Sequence, residues 1–217
     1  KWTNHNAPAN DEIWYTNGST TEPTAPNDPD AFGDATIQSN TYDAEKECWV
    51  IKFDKDLTEI GESAFYGYET DCNKLTSVTI PDSVTTIGVG AFEGCDNLKE
   101  FKGKFAADGG RCLIKDNTII AYANASGTTY TIPDSVTTIG DYAFEYCESL
   151  TSVTIPNSVT TIGNYAFASC YSLASVTIPD SVTTIGNYTF YQCSSLKTVY
   201  CKPTTPPTGG DRMFYDN

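Results

Sequence analysis

The twelve residues SVTIPDSVTTIG at positions 77–88 occur again, letter for letter, at 175–186. The same phrase returns with one changed residue at 152–163 and with two changed residues at 129–140. Three longer copies align without a gap: LTSVTIPDSVTTIGVGAFEGCDN (75–97), LTSVTIPNSVTTIGNYAFASCYS (150–172) and LASVTIPDSVTTIGNYTFYQCSS (173–195). The period is 23 residues. A fixed period of this length is typical of a solenoid, in which each repeat is one turn that stacks on its neighbours.

The first half of each repeat has the pattern of a short strand. Leu150, Val153 and Ile155 follow the spacing L-x-x-L-x-L that is typical of leucine-rich repeats. Because successive side chains of a strand point to opposite faces, Val153 and Ile155 face the core while Ser152 and Thr154 face outward. The repeat is therefore of leucine-rich-repeat type.

The second half of the repeat carries further apolar positions. Val159 and Ile162 form a second short apolar pair, and the spacing of Ala166, Phe167 and Cys170 predicts about one inward-packing helical turn. One repeat alone buries too little apolar surface to offset the entropy of ordering its residues, so we expect the copies to be stable only as a stack.

The whole chain is predicted to be a repeat solenoid of leucine-rich-repeat type, α+β but strand-dominated, in a right-handed curved stack of about seven rungs. Strand starts are expected near residues 48, 75, 98, 127, 150, 173 and 196. The predicted parts are an N-terminal β capping segment with an acidic loop (1–47), the solenoid (48–200) with an irregular rung and a β-hairpin at 98–126, and a C-terminal tail or incomplete cap (201–217).

The charge balance excludes two classes of partner. The 217 residues hold 13 Lys and Arg against 28 Asp and Glu, a formal net charge of −15. Nucleic acids and anionic membranes are bound through clustered basic side chains, so neither is expected as a partner. No apolar run reaches the roughly 20 residues needed to cross a bilayer, so no membrane insertion of this chain is expected. We expect a monomer.

The repeats also resemble a known family. Units of the form L-x-x-V-x-I-P-x-S-V-x-x-I-G-x-x-A-F-x-x-C are similar to BspA-type leucine-rich repeats, also called the Treponema pallidum type, over roughly residues 48–200. The segments IWYT and SNTY before the first rung, and YCKPTTPPTGG after the last, resemble the flanks of Bacteroides-type members. The resemblance implies an exported bacterial protein, at the cell surface or secreted, with a role in adhesion or host interaction.

The cysteines recur in one slot of the repeat. Cys95, Cys147, Cys170 and Cys193 share it, and Cys72 occupies the same slot in the first unit. A slot filled with the period of the repeat is a packing position, so we expect small buried side chains and inert thiols. The less favoured alternatives are a disulfide between Cys193 and Cys201 or one from Cys48 to a neighbour.

The polar motifs favour structural roles over chemistry. Asp28, Asp30 and Asp34 lie close together and could suit Ca²⁺, but the rest of an EF-hand is missing, so a solvated acidic loop is favoured. The recurring serines at 83, 135, 158 and 181 are expected to bond backbone groups at a turn. His5 is the single histidine, so a catalytic triad is not expected. We predict no enzyme, no metal site and no cofactor.

Two rows of side chains remain as candidates for binding. Tyr142, Tyr165 and Tyr188 form an aromatic row, for which packing is favoured over stacking on sugar rings. The outward positions of the long strands form the predicted ligand-binding site: Ser77, Thr79, Thr129, Thr131, Ser152, Thr154, Ser175, Thr177, Thr198 and Tyr200. The predicted function is a binding or adhesion scaffold for a protein or glycan of a host or neighbouring cell, contacted through this curved strand face. The alternative is a passive structural or surface-layer spacer.

Overall fold

The computed structural model describes residues 7–26, 28–68 and 70–217. Most of the regular structure in these residues is β-strand. The first strands are β1 (Glu12–Thr16), β2 (Ile37–Asp43), β3 (Cys48–Phe53), β4 (Glu59–Ile60), β5 (Ser77–Ile80), β6 (Thr86–Ile87), β7 (Glu100–Gly103), β8 (Ala106–Ala107), β9 (Cys112–Lys115) and β10 (Thr118–Tyr122). The others are β11 (Thr129–Thr131), β12 (Thr138–Ile139), β13 (Ser152–Thr154), β14 (Thr161–Ile162), β15 (Ser175–Ile178), β16 (Thr184–Ile185), β17 (Thr198–Cys201) and β18 (Thr208–Gly209). Two short 3-10 helices cover Asp71–Lys74 and Asp108–Gly110.

The repeats stack as parallel ladders, one rung per repeat. The long strands β11, β13, β15 and β17 form a four-stranded sheet, and the short strands β10, β12, β14, β16 and β18 pair in a second sheet. Ile139 pairs with Ile162 and Ile162 with Ile185, each 23 residues further along the chain. Equivalent slots therefore lie side by side, and the predicted strand-dominated solenoid of about seven rungs is confirmed.

The second half of each repeat is a series of turns, so the predicted helical turn is wrong. Tyr165 and Ser169 have φ angles of 52° and 56°, in the left-handed region that a right-handed helix cannot contain. The N–H of Phe167 instead donates to the carbonyl of Thr189 in the next rung, at 2.9 Å. This turn side of the solenoid is thus a third ladder, in which the rings of Phe144 and Phe167 stack at 4.9 Å.

The N-terminal segment inserts a strand into the repeat array. Strand β1 pairs antiparallel with both β3 and β5, and the sheet order is β2-β3-β1-β5-β7. The first two repeat strands, β3 and β5, are therefore separated by β1 rather than adjacent. Ile13 and Tyr15 on β1 are buried in the core that the first rungs form.

The irregular rung divides the solenoid into two sub-stacks. A hairpin of β9 and β10 turns at Asp116 and Asn117, with φ angles of 49° and 60°. The long-strand sheets end at β7 on one side of the hairpin and restart at β11 on the other. Leu113 of the hairpin packs in the first core and Ile119 in the second, so the hairpin joins two hydrophobic cores.

Residues 201–217, for which the sequence predicts a tail or an incomplete cap, extend the same ladders. Strand β18 pairs in parallel with β16, and the N–H of Phe190 donates to the carbonyl of Met213 at 2.9 Å. The ring of Phe214 stacks on Phe190 at 5.5 Å, and 44% of Phe214 is exposed. The C-terminal residues therefore repeat the hydrogen bonding of the inner rungs.

Candidate functional site

The predicted site divides into two parts that differ in exposure. The eight residues of the C-terminal sub-stack lie on one face of a parallel sheet, and we call this set the hydroxyl ladder: Thr129, Thr131, Ser152, Thr154, Ser175, Thr177, Thr198 and Tyr200. Thr177 and Thr198 are half-buried, and the other six are exposed. The ladder presents polar, uncharged side chains in rows spaced by the roughly 4.8 Å between neighbouring strands.

The register of the sheet fixes the order of the hydroxyl ladder. Thr129 pairs with Ser152, Ser152 with Ser175, and Ser175 with Thr198. Each of these side chains projects from backbone that is hydrogen-bonded on a sheet, so little backbone entropy is left to lose when a partner binds.

Ser77 and Thr79 are not exposed, and the prediction that they extend the exposed row is wrong. Each is only 8% exposed. The cause is the inserted strand β1, which places Thr16 opposite Ser77 and Trp14 opposite Thr79. The Thr16 and Ser77 hydroxyls lie 2.7 Å apart and bond each other.

Ser77 and Thr79 instead line a groove on the strand face of the N-terminal sheet, which we call the strand-face groove. It has a volume of about 320 Å³, and its other lining residues include Trp14, Lys46 and Lys102. The groove thus brings together an indole, three serine and threonine hydroxyls, two ammonium groups and the carboxylate of Glu47. This combination can bind a polar ligand through hydrogen bonds and contact with the indole.

The cations of the strand-face groove are held by neighbouring groups. The Lys46 ammonium lies 2.6 Å from Asp43 and 5.1 Å from the centre of the Trp14 ring. Its hydrogen bond to Asp43 raises the pKa of Lys46, so the ammonium stays charged. Lys102 lies 2.8 Å from Glu100. Neither Trp14 nor Lys46 has a counterpart in the repeat, so the periodicity gave no signal for them.

The tyrosine row is a regular stack on the turn side of the solenoid. The rings of Tyr142 and Tyr165 lie 5.1 Å apart, and those of Tyr165 and Tyr188 lie 4.9 Å apart, both nearly parallel. All three residues are half-buried and have positive φ angles. Ring-on-ring contact therefore occupies the aromatic faces, in keeping with the favoured packing role.

The repeated cysteines are buried thiols that contact the preceding rung. Sγ of Cys170 donates to the carbonyl of Phe144 at 3.2 Å, and Sγ of Cys193 donates to that of Phe167 at 3.1 Å. Burial raises the pKa of the Cys170 thiol well above its usual value, which disfavours the reactive thiolate. None of the eight cysteines, all of which lie in the described residues, forms a disulfide; seven are buried and Cys201 is exposed.

The other polar motifs differ in whether their side chains form hydrogen bonds. Ser83 and Ser181 donate to backbone carbonyls, of Asn10 at 2.9 Å and of Val159 at 2.6 Å, whereas the Ser158 hydroxyl is buried without a partner. In the acidic loop, Asp28 accepts a hydrogen bond from the N–H of Asp30. His5 lies outside the described residues. Across the described part of the chain, no group of three or more His, Cys, Asp or Glu side chains could hold a metal ion.

Two ladders of side chains bond the backbone of the neighbouring rung, and neither is among the features predicted from the sequence. The Thr160 and Thr183 hydroxyls each donate at 3.3 Å to the carbonyl of the threonine 23 residues earlier. Asn164 and Asn187 accept hydrogen bonds from backbone N–H groups of the following rung, at 2.8 and 2.7 Å. Both ladders could have been predicted from the recurrence of Thr and of Asn at fixed positions of the repeat.

The fold and the exposed strand face define a repeat protein of the leucine-rich class, and comparison with known proteins gives its family. Residues 35–104 and 118–217 match the BspA type leucine rich repeat region, in six copies. The chain belongs to this family, whose repeat fold is typically a non-catalytic scaffold. A comparison with curated protein sequences gave no match.

Several solved structures are similar to the chain. A leucine-rich repeat protein from Eubacterium ventriosum is 31% identical with a TM-score of 0.51, and the match covers 59% of this chain and 37% of that one. A leucine-rich repeat protein from Bacteroides ovatus is 30% identical with a TM-score of 0.45, over 74% of this chain and 45% of that one. The pneumococcal vaccine antigen PcpA is 19% identical with a TM-score of 0.50, over 81% of this chain and 48% of that one, and shows the fold alone. The chain thus spans less than half the length of each of these three.

Within the described residues, no helix is both long enough and apolar enough to cross a membrane.

Proposed function

We propose that this protein is an exported bacterial scaffold, at the cell surface or secreted, that binds a protein or glycan of a host or neighbouring cell through its strand face. Membership of the BspA-type family supports this proposal. The single observation that carries it is the hydroxyl ladder, an exposed and uncharged row on a sheet whose register is fixed by the repeat.

The chemistry of the strand face favours a polar partner. Serine and threonine hydroxyls both donate and accept hydrogen bonds, so the hydroxyl ladder matches peptide groups or sugar hydroxyls equally well. The strand-face groove adds the Trp14 indole and the ammonium groups of Lys46 and Lys102 at the N-terminal end. We propose that the protein binds as a monomer, by many weak contacts on a preorganised surface.

A passive spacer is the second candidate function. The observation in its favour is that threonine suits strands intrinsically, so an exposed row of hydroxyls arises on a sheet without any ligand. In that case the hydroxyl ladder only keeps the protein in solution, and substitutions on the ladder do not change binding to any partner.

Paired lysine substitutions distinguish the two functions. Ser152→Lys with Ser175→Lys places two long cations at the centre of the hydroxyl ladder, and Ser149→Lys with Ser194→Lys adds the same charge at exposed positions on the turn side. Binding would be measured against a glycan array and a panel of host matrix proteins. We expect the ladder variant to lose affinity at least about tenfold, which is about 1.4 kcal/mol, while the turn-side variant binds as the unsubstituted protein does.

Two results would contradict the proposal. Equal binding by the ladder variant and the turn-side variant would remove the strand face as the binding site. Binding of the unsubstituted protein to neither panel would favour the spacer.

A further inference from the structure

Two carboxyl groups face each other at the junction of the two sub-stacks. Glu93 belongs to the turn side of the last regular rung before the hairpin, and Glu145 belongs to the first rung after it. Their side chains line the same small cavity and interact electrostatically with one another. Glu145 is only 8% exposed, and its Oε2 atom is buried without a hydrogen-bond partner. Between them lies a small cavity of about 10 Å³, also lined by Tyr122 and Asn124.

Other side-chain contacts also cross the junction, among them the hydrogen bond from Asn124 to Asp96 at 3.5 Å and the stacked rings of Tyr68 and Tyr146 at 5.1 Å. In the regular rungs, backbone hydrogen bonds join each turn to the turn of the next rung. For example, the Phe65 N–H donates to the Ala91 carbonyl and the Phe144 N–H donates to the Ala166 carbonyl. On the far side of the junction, Tyr122 N–H donates to the carbonyl of Ala143. Among the described residues, no backbone hydrogen bond joins the 88–94 turn to residues 118–124. At the junction, side-chain contacts such as that between Glu93 and Glu145 therefore replace the backbone hydrogen bonds between turns.

Two facing carboxylates cannot both be charged in such a site at low cost. The charges would repel, and burial would remove the water that stabilises each of them. The titratable groups close to the pair are Tyr122 in the cavity wall, Tyr142 and Tyr146 on the turn of Glu145, Tyr165 and Cys170 from the next rung, and Cys95 beside Glu93. None of them is a cation. A proton held between the two carboxyl groups both neutralises one of them and supplies a donor for a hydrogen bond between them.

We propose that Glu93 and Glu145 share one proton and act as a pH-sensitive latch across the junction, closed when the proton is present and open when both groups ionise. Burial and the neighbouring Glu93 raise the pKa of Glu145 from about 4.5 to about 9, and burial also raises the pKa of Glu93. The latch is therefore closed at neutral pH and opens in alkaline solution.

The sign of the pH dependence follows from these directions. Between pH about 4.5 and about 9 the folded protein binds a proton that the unfolded chain has released. The stability from this pair is therefore complete below pH 4.5 and is lost as the pH rises through about 9. Glu145→Gln keeps a donor that bonds Glu93 and removes the titrating group, so its melting temperature should be less dependent on pH.

The test compares thermal unfolding of the unsubstituted protein, Glu145→Gln and Glu93→Gln from pH 4 to pH 9.5, with the exposed Glu148→Gln as the matched control. We expect Glu145→Gln to melt at least roughly 3 °C above the unsubstituted protein at pH 8, because one pKa unit is worth a few degrees in a chain of this size. At pH 4 we expect Glu145→Gln and the unsubstituted protein to have the same melting temperature. Glu148→Gln should follow the unsubstituted protein at every pH.

Two direct measurements accompany the melts. Carbon-13 NMR of the glutamate carboxyl groups should show one resonance that titrates above pH 7 and disappears in Glu145→Gln. Hydrogen exchange at the Tyr122 amide should be faster in the unsubstituted protein than in Glu145→Gln at pH 9.5, and equal at pH 4. Carboxyl groups that all titrate near pH 4.5 would overturn the proposal. So would Ca²⁺ that raises the melting temperature of the unsubstituted protein and not of Glu93→Gln, because the pair would then be a cation site.

Discussion

At the scale of single residues, the repeat works because each slot makes the same contact with the rung before it. The thiol of Cys170 illustrates this, since it fills a fully buried position and also donates to the Phe144 carbonyl. A cysteine in such a slot is selected for size and for a weak donor rather than for reactivity. The period of the cysteines was enough to predict that they are buried. The carbonyl group that each thiol bonds could not be predicted, because it depends on how neighbouring rungs are aligned.

Substitution of the slot cysteine should destabilise the stack. Cys170→Ala removes the sulfur and its hydrogen bond from a site that is 0% exposed, and we expect a loss of about 1–2 kcal/mol in the free energy of unfolding. Cys201→Ala is the control, because Cys201 is exposed and its change should be neutral. Urea unfolding measures both. Equal stability of the two variants would show that the slot thiol contributes nothing.

The candidate site was predictable at the residue scale only where the repeat is regular. Thr154 and Ser175 alternate with buried Val153 and Val176, so their exposure followed from the period-two pattern of a strand. Ser77 has the same sequence context, and it is buried because a strand from outside the repeat lies beside it. No local pattern in residues 77–80 carries that information.

At the scale of elements, two segments depart from the repeat for different physical reasons. Strand β1 replaces the contact that the first repeat strands would make with each other, and it adds Trp14 to the strand face. The β9–β10 hairpin replaces the second half of a repeat, and its position was predictable from two β-rich runs around Asp116 and Asn117. The place where β1 inserts was not predictable, because a pairing between distant strands leaves no periodic trace.

The hairpin turn gives a prediction about backbone conformation. Asp116 has a φ angle of 49°, a region that glycine adopts freely and β-branched residues do not. Asp116→Val should therefore be less stable than Asp116→Gly by about 1–2 kcal/mol, although the position is exposed. Thermal unfolding of the two variants compares them directly. If Asp116→Val were the more stable of the two, the hairpin turn would have a different conformation.

At the scale of the whole molecule, the solenoid is two stacks joined by a hairpin rather than one uniform array. Each sub-stack has its own hydrophobic core, and the hairpin contributes to both. This division places the hydroxyl ladder on the C-terminal sub-stack and the strand-face groove on the N-terminal one. A partner that spans the strand face would therefore contact two chemically different surfaces.

Because equivalent slots lie side by side, each added repeat should lengthen the stack and bury more core. Insertion of three further copies of residues 150–172 after residue 172 tests this expectation most directly by small-angle X-ray scattering. We expect the maximum dimension of the folded protein to increase by roughly 14 Å, three strand spacings of about 4.8 Å, with a strand-rich circular dichroism spectrum retained. An unchanged maximum dimension, or the scattering of a folded protein carrying a disordered insertion, would show that added repeats do not stack on the existing rungs.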